Sequence, residues 1–462
     1  MIEQHLKQPP LESLLRPGVR AHMIGIGGVS MSPLAEVLHQ QGVLVTGSDE
    51  RDGAATRRLR ELGIPVAVGH APEQVRGAEL IIRTAAARDE NVEVAAARAL
   101  GIPVYERAEA WGQIMRAYRN AVCVAGTHGK TTTTSMIAQI LLTAAADPTV
   151  MIGGTLPSLG SGYRVGRGDT IVLEACEYYN SFHSFFPTLA VVLNIDDDHL
   201  DFFGNLENVK ASFADFAALV PESGKIVCNG GDANTMDALS KLNRELVTFG
   251  FEPKDDVRCE NFRMAGTGSR FDVLYEDRIY CRAELRVPGR HNAANALAAA
   301  AVAVLLGIPG EAVEDALLRF TGAERRFEPK GSINGADIYD DYAHHPSELH
   351  ALLDMVSALP YERVLLAFQP HTYTRTSAHF DVFTRELQRA DKVYLAEIYA
   401  AREENTTGVT SADLARGIPN AVYCPTFSAV ADAIAGDARA GDIVLTVGAG
   451  ELYLVGEALA NR

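Results

Sequence analysis

The stretch that decides the fold is VCVAGTHGKTTTTSMIAQIL, Val122 to Leu141. It opens on a short β-branched run, turns on glycines beside a lysine and a row of threonines, and closes in a helix-like pattern. Strand, glycine loop and helix N-terminus in that order make a phosphate cradle. Gly126 and Gly129 admit close backbone approach, and Lys130 supplies a point charge. The helix end adds oriented N–H groups and a positive dipole end. Thr127 and Thr132 belong to the same cradle, and the hydroxyl of Thr131 suits Mg²⁺. The usual pattern would place its first glycine at Val124, so this loop is a shortened variant. The bland alternative is a glycine turn before a Thr-rich helix, but a Gly-Lys-Thr run after a buried strand has few structural reasons.

Two acidic elements follow. Glu174 ends the strand TIVLEAC, and NIDDDHLD places Asp196, Asp197, Asp198, His199 and Asp201 at the end of the next strand. Loops after parallel strands gather on one side of a sheet, the side of the phosphate loop. A carboxylate there can hold Mg²⁺, and a neutral imidazole can ligate a second ion. The plain alternatives are a structural salt bridge at Glu174 and a solvated acidic turn at the Asp/His cluster.

Outward from this centre the chain reads as three successive α/β units. AHMIGIGGVSMSPLAEVLHQQGVLVTGSD runs strand, glycine turn, helix, strand, with Asp49 closing the second strand roughly twenty residues after the turn. Gly25, Gly27 and Gly28 would let amides approach a diphosphate, while Ser30 stands where a third glycine of a nicotinamide fingerprint would fall. A β-rich insertion spans 248–287, the helix HNAANALAAAAVAVLLG follows, and a turn cluster at Phe320 to Arg326 reads as a linker. Strand-like runs at ADIYDDYA, RVLLAFQP, DKVYLAEIY and DIVLTVGAG build the last unit. The expected domains are 1–118, 119–322 and 323–462.

The net charge of −17 argues against nucleic acid as the main partner, because phosphate-backbone binding needs a basic surface. The N-terminus MIEQHLKQPPLESLLRPGVR is too polar for a signal peptide, and the apolar stretch Ala293 to Leu306 is too short to span a bilayer. The six cysteines form no CxxC pair, so neither a zinc knuckle nor a disulfide framework is indicated. A cytoplasmic protein without membrane contact is expected.

The motifs AGTHGKTTT, LEACE, NIDDDHLD, GRHNAANALAA, GAERRFE, DDYAHHP and FQPHTYTRT, in this order, resemble those of the Mur ligases, ATP-dependent amide-forming enzymes. Within that family GIGGVSMSPLA and FQPHTYTRT favour the member that adds L-alanine over the one that recycles a whole tripeptide. The resemblance implies three domains: a Rossmann-like UDP-binding domain, a central P-loop ATPase-type α/β domain and a C-terminal Rossmann-like α/β domain. It implies that ATP phosphorylates the lactyl carboxylate of UDP-N-acetylmuramate and that L-alanine attacks the acyl phosphate, with domain closure to keep water out. The product would enter peptidoglycan precursor synthesis, and with it cell-wall biogenesis, cell shape and division, in a bacterial cytoplasm. A monomer or weak homodimer is expected.

By the same resemblance, Thr131 and Glu174 are ligands of an ATP-bound Mg²⁺, and His199 of a second one. Asn295, with His291 and Asn292, reads adenine, and Arg326 reaches the ATP phosphates. Asp341 and Tyr342 face the nucleotide, and Lys130, Glu174, His199 and His345 are catalytic. His344, His371 and Arg375 gather around the amino acid, where a guanidinium could fork a carboxylate. Ser48, Asp49, His70, Thr84 and His128 join the glycines at the UDP-sugar. Cys176 departs from the family's acidic residue and reads as a packing residue, and Lys210 lies too near His199 to be the carbamylated lysine of some relatives. Competing readings are a Mur-type ligase for another amino acid or a peptide, a nicotinamide oxidoreductase, which leaves Lys130 and His199 unexplained, and a nucleotide-binding sensor, which would not require FQPHTYTRT.

Overall fold

The computed structural model describes residues 9–401 and 403–462. By internal contacts the chain forms two compact units. The first runs to Asp196 and adds Glu207–Thr248 and Ala301–Ile308; the second holds Asp197–Leu206, Phe249–Ala300 and Pro309–Arg462.

The first unit contains two sheets. Strands β1 (Arg20–Ile24), β2 (Leu44–Asp49), β3 (Val66–Val68), β4 (Leu80–Arg83) and β5 (Val104–Glu106) are all parallel, in the order β3-β2-β1-β4-β5. Strand order reverses beside β1, which opens a crevice at its C-terminal end, where Gly25 to Gly28 lie. Within this unit the second sheet, ten-stranded in all, runs through β6 (Asn120–Ala125), β7 (Thr149–Leu156), β8 (Ser161–Arg164), β9 (Thr170–Glu174), β10 (Leu189–Val192), β11 (Lys225–Asn229) and β12 (Glu245–Gly250). Their order is β12-β11-β10-β6-β9-β7-β8, so the phosphate-loop strand β6 lies between β9 and β10. Register places Val124 opposite Glu174 on one side, and Ala125 opposite Val192 on the other. The loops after all three strands therefore meet. Val122 to Ala125 are fully buried, as befits a parallel strand covered on both faces. The helix Lys130–Thr143 is buried from Thr131 to Leu141 and carries no solvent stripe over that span.

In the second unit, β13 (Val257–Ala265), β14 (Gly268–Tyr275) and β15 (Arg278–Leu285) form the antiparallel meander that the β-rich reading of 248–287 anticipates. The alanine-rich helix Arg290–Leu305 belongs to this unit as far as Ala300. The last sheet holds β16 (Glu328–Ile333), β17 (Ala336–Asp341), β18 (Arg363–Phe368), β19 (Lys392–Leu395), β20 (Ala421–Tyr423) and β21 (Asp442–Val447), in the order β16-β17-β21-β18-β19-β20. Only β16 is antiparallel to its neighbour. Alternation along β18 divides its side chains between two cores. Leu366 and Phe368 pack with Leu349 and Phe383, while Leu365 and Ala367 pack with Val430 and Ile434. No described helix is long and apolar enough to cross a membrane.

Candidate active site

The phosphate loop is held by residues on both flanks. Gly129, the N-cap of the Lys130–Thr143 helix, sits at φ +83°, and Gly126 at φ +149°, where its missing Cβ would meet Leu193 at 2.9 Å. Asn194 braces the loop twice: its Oδ1 accepts from His128 N at 2.7 Å and its Nδ2 donates to His128 O at 3.1 Å. Thr127 is buried, and its Oγ1 accepts from Asp196 N at 2.9 Å. Thr132 is buried with it. His128, expected at the UDP-sugar, lies inside this loop, with Nε2 3.2 Å from Asp196 Oδ2.

Lys130 Nζ donates to Gly126 O at 2.5 Å and pairs with Glu177 at 2.9 Å. Burial is the largest influence and works to lower the ammonium's pKa, but Glu177 and the further negative charge around it, Glu174 included, together outweigh it and hold the value up at about 12. Lys130 is therefore a fixed cation. Sequence reasoning passed over Glu177, although it closes LEACE, and it passed over Asn194; the signal for each was its place at a strand end beside the loop. Thr131 Oγ1 donates to Glu174 Oε1 at 3.0 Å, and Gly153 N donates to Glu174 Oε2 at 2.7 Å. A Cβ on Gly153 would lie 2.6 Å from Glu174 Oε1, so only glycine leaves this carboxylate its place. Thr131 and Glu174 together form a hard-oxygen donor pair of the kind Mg²⁺ takes.

Glu174 also lines a cavity of about 270 Å³ with Ser30, Arg107, Trp111, Gly153 and Cys176. Arg107 donates to Ser30 Oγ, and Trp111 Nε1 donates to Ser30 O at 3.1 Å. Cys176 corrects the sequence reading: it is exposed at this cavity and does not pack in a core. The chain turns into a 3₁₀ segment, Tyr178–Ser184, directly after LEACE, which leaves the thiol outside the strand's buried run.

On the first sheet, Gly25 (φ +75°) has no room for a Cβ, which would meet Thr84 Cγ2 at 2.6 Å. Gly27 N donates to Asp49 Oδ2 at 2.8 Å, so Asp49 anchors the glycine loop. Gly28 N closes the turn onto Gly25 O at 3.1 Å. Ser48 is fully buried and its hydroxyl donates to Glu93 at 2.7 Å; His70, a quarter exposed, sits over the same carboxylate. Glu93 went unremarked in the sequence, because one glutamate on a short helix has no distinguishing pattern.

The second unit carries two groups of the expected residues. In the first, Asn295 Nδ2 lies 3.4 Å from Asn292 Oδ1, and Asn292 Nδ2 donates to Pro288 O at 2.7 Å. Burial, with Arg326 nearby, pushes the His291 pKa down to about 4. Arg325 is locked structurally, to Asp340 at 3.0 Å and to Gly450 O at 2.9 Å, whereas Arg326 lies over the Tyr342 ring with Glu348 3.9 Å away. Asp341 accepts from Phe327 N and Ala343 N, both at 2.8 Å, and burial raises its pKa to about 6.

In the second group, Arg375 sends Nε and Nη2 to Asp198 Oδ1 at 3.1 and 2.6 Å and Nη1 to His371 Nδ1 at 2.9 Å. Its fork thus faces Asp198. Burial opposes ionisation of Asp198, yet Arg375 and the neighbouring histidines hold it well below the usual carboxylate range. Burial, with His344 and Arg375 beside it, lowers the His371 pKa to about 3. His344 is lowered too, first by burial, and its Nδ1 donates to Tyr342 O at 3.0 Å. His199 holds a left-handed backbone (φ +54°), a strained state for a non-glycine residue. His345 is buried and caps the helix Pro346–Ser357: Nδ1 accepts from Ser347 N, which places the proton on Nε2, 3.8 Å from Asp197 Oδ1. Lys210 pairs with Glu207 at 2.9 Å and Asp237 at 3.2 Å.

The family model described as Mur ligase family, catalytic domain, matches residues 20–119. The Mur ligase middle domain matches 124–303, and the Mur ligase, glutamate ligase domain, matches 325–450. A UDP-N-acetylmuramate–L-alanine ligase of Caldanaerobacter subterraneus subsp. tengcongensis is 44% identical over 95% of this chain and 96% of its own length. The enzyme of the same name from Caldicellulosiruptor saccharolyticus is 43% identical over 93% and 96%. The crystal structure of UDP-N-acetylmuramate-alanine ligase MurC from Thermotoga maritima superposes with a TM-score of 0.78 at 29% identity, covering 96% of this chain and 98% of that one. With three family models matched in sequence order and such relatives along nearly the whole length, the chain belongs to the Mur ligase family, in its three-domain α/β fold.

Proposed function

We propose that this protein joins L-alanine to the lactyl carboxylate of UDP-N-acetylmuramate at the expense of ATP, in the cytoplasm, as a step of peptidoglycan precursor synthesis. The observation that carries the proposal is the phosphate loop with Lys130 fixed by Glu177, and the Thr131–Glu174 oxygen pair beside it. Full-length relatives of that name support the choice of substrates. The domain boundaries proposed are 118/119 and 322/323, and the protein would act as a monomer or weak homodimer without nucleic acid or membrane.

A carboxylate oxygen of the muramoyl lactyl group attacks the γ-phosphorus and ADP leaves. The alanine amine attacks the acyl carbon, loses a proton, and inorganic phosphate leaves as the amide forms. Lys130 and the amides of the Gly126–Gly129 loop hold the transferring phosphoryl group. Thr131 and Glu174 would hold Mg²⁺, with His199 as ligand of a second ion; bound there, the metal neutralises phosphate charge. Gly25, Gly27 and Gly28, anchored by Asp49 and walled by Thr84, would take the diphosphate, with Ser48 and His70 toward the nucleoside and His128 nearer the sugar. His291, Asn292 and Asn295 would take adenine, and Arg326, Asp341 and Tyr342 the rest of the nucleotide. His344 and His371, kept neutral by burial, would flank the amino acid beside Arg375, with His345 donating from Nε2 at the reacting centre.

Hydroxylamine trapping tests the intermediate. With ATP, Mg²⁺ and UDP-N-acetylmuramate but no alanine, a UDP-muramoyl hydroxamate should accumulate. Alanine-dependent turnover in which labelled carboxylate oxygen never reaches the released phosphate would refute the acyl-phosphate route.

A further inference from the structure

Inside the first sheet's domain lies a polar network that is closed to solvent at its centre. Glu93 is fully buried on the first turn of the helix Val92–Ala99, where the helix N-terminus favours a negative charge. Its Oε2 accepts from Ser48 Oγ at 2.7 Å and from His22 Nε2 at 3.2 Å. Its Oε1 accepts from His70 Nδ1 at 3.3 Å and from Ala71 N at 3.2 Å. His22 is buried, and its other nitrogen meets Thr46 Oγ1 at 2.9 Å. So many donors around one buried carboxylate are the setting in which burial's penalty is overcome and the group stays ionised.

An ionised carboxylate only accepts hydrogen bonds, so each imidazole must turn an N–H toward it. For His70 the proton must therefore sit on Nδ1. The Ser48 hydroxyl points its own proton at Glu93 and accepts from that same Nδ1–H at 3.2 Å, which agrees. A neutral His70 is left with a bare lone pair on Nε2, on the opposite ring edge. His70 follows β3 and is a quarter exposed, at the strand ends that also carry Ser48, Asp49 and Thr84.

We infer that Glu93 is a positioning residue that fixes His70 in the Nδ1–H tautomer, so that Nε2 accepts a hydrogen bond from the nucleoside of the UDP-sugar. This rests on the UDP-sugar being bound at the first domain. Uridine offers two donors of the right kind, the imide N–H of uracil and the ribose hydroxyls. In this arrangement the recognition of the nucleoside is set by a residue that does not touch it.

The test uses the full chain, ¹⁵N-labelled at histidine. Two-bond ¹⁵N–¹H correlation spectra of the wild type at pH 8 should show His70 as a neutral ring protonated at Nδ1; a ring protonated at Nε2, or at both nitrogens, overturns the inference. This reading needs no mutant to fold. Calorimetric titration with UDP-N-acetylmuramate should then show Glu93→Gln and His70→Ala each weakening binding about tenfold, the scale of one hydrogen bond to an imidazole. ATP affinity should stay within twofold. Unchanged UDP-sugar affinity in a folded Glu93→Gln protein would also overturn it. CDP-N-acetylmuramate separates the two donors: affinity lost with it assigns the imide N–H, and affinity retained assigns a ribose hydroxyl. Failure of the wild type to bind the UDP-sugar at all would instead strike the proposed function, on which this inference stands.

Discussion

Lys130 illustrates how one residue's surroundings define its duty. Its charge is held by Glu177 and its position by Gly126 O, so removing it should stop phosphoryl transfer without disturbing the first sheet. Lys130→Ala should lower turnover by a factor on the order of a thousand or more while leaving calorimetric binding of UDP-N-acetylmuramate within about twofold. Joint loss of both would break the assignment of the two ligands to separate sheets. Gly153→Ala makes a finer cut. A Cβ 2.6 Å from Glu174 Oε1 must push that carboxylate away from Thr131. Activity titrated with MgCl₂ should need several-fold more Mg²⁺ for half-maximal rate, and an unchanged requirement would remove Glu174 from the proposed metal pair. The buried histidines give a pH signature. His371, with an ordinary value of 6.5, falls to about 3 in the folded protein, so its contribution to stability is fully present above about pH 6.5. That contribution is lost progressively as pH falls toward 3, because the unfolded chain takes up the proton first. The melting temperature of His371→Asn should accordingly fall less steeply than that of the wild type between pH 6.5 and 4.5.

At the level of elements, the legible parts were those with strong local chemistry. β6 and its loop announce themselves by a buried apolar run ending in Gly-Thr-His-Gly-Lys-Thr, and β9, β10 and β18 by apolar runs with both faces covered. The edges were not legible. β16 contains Pro329 and Gly331 and is shifted in register between them, so its sequence shows no clean alternation. The β7–β8 hairpin breaks register between Met151 and Leu156 for a similar reason. Strand order is also absent from any local pattern, and it alone brings Asn194 and Glu174 to either side of the phosphate loop. Asn194→Ala should therefore act through the loop. Losing both side-chain bonds to His128 should cost about 1–3 kcal/mol of stability and raise KM for ATP several-fold, with KM for the UDP-sugar nearly unchanged. Equal effects on both KM values would mean that Asn194 supports the fold at large and not this loop.

For the whole molecule, seven motifs in fixed order sufficed to read the three-domain plan and the family. What they could not convey were the partners that hold the motif residues in place: Glu177 behind Lys130, Glu93 behind His70, Asp198 in the fork of Arg375. Each of those pairings appears only when distant segments meet. The Cys176 correction has the same origin, since the local sequence does not reveal that the strand ends at Glu174, ahead of that residue. The most direct measurement of substrate choice is phosphate release from ATP with Mg²⁺ and UDP-N-acetylmuramate, with amino acids and short peptides added one at a time and the product weighed by mass spectrometry. Release should require both the UDP-sugar and L-alanine, and the product should be heavier by one alanyl residue. Release with a peptide but not with alanine, or none with any acceptor, would contradict the proposed substrates.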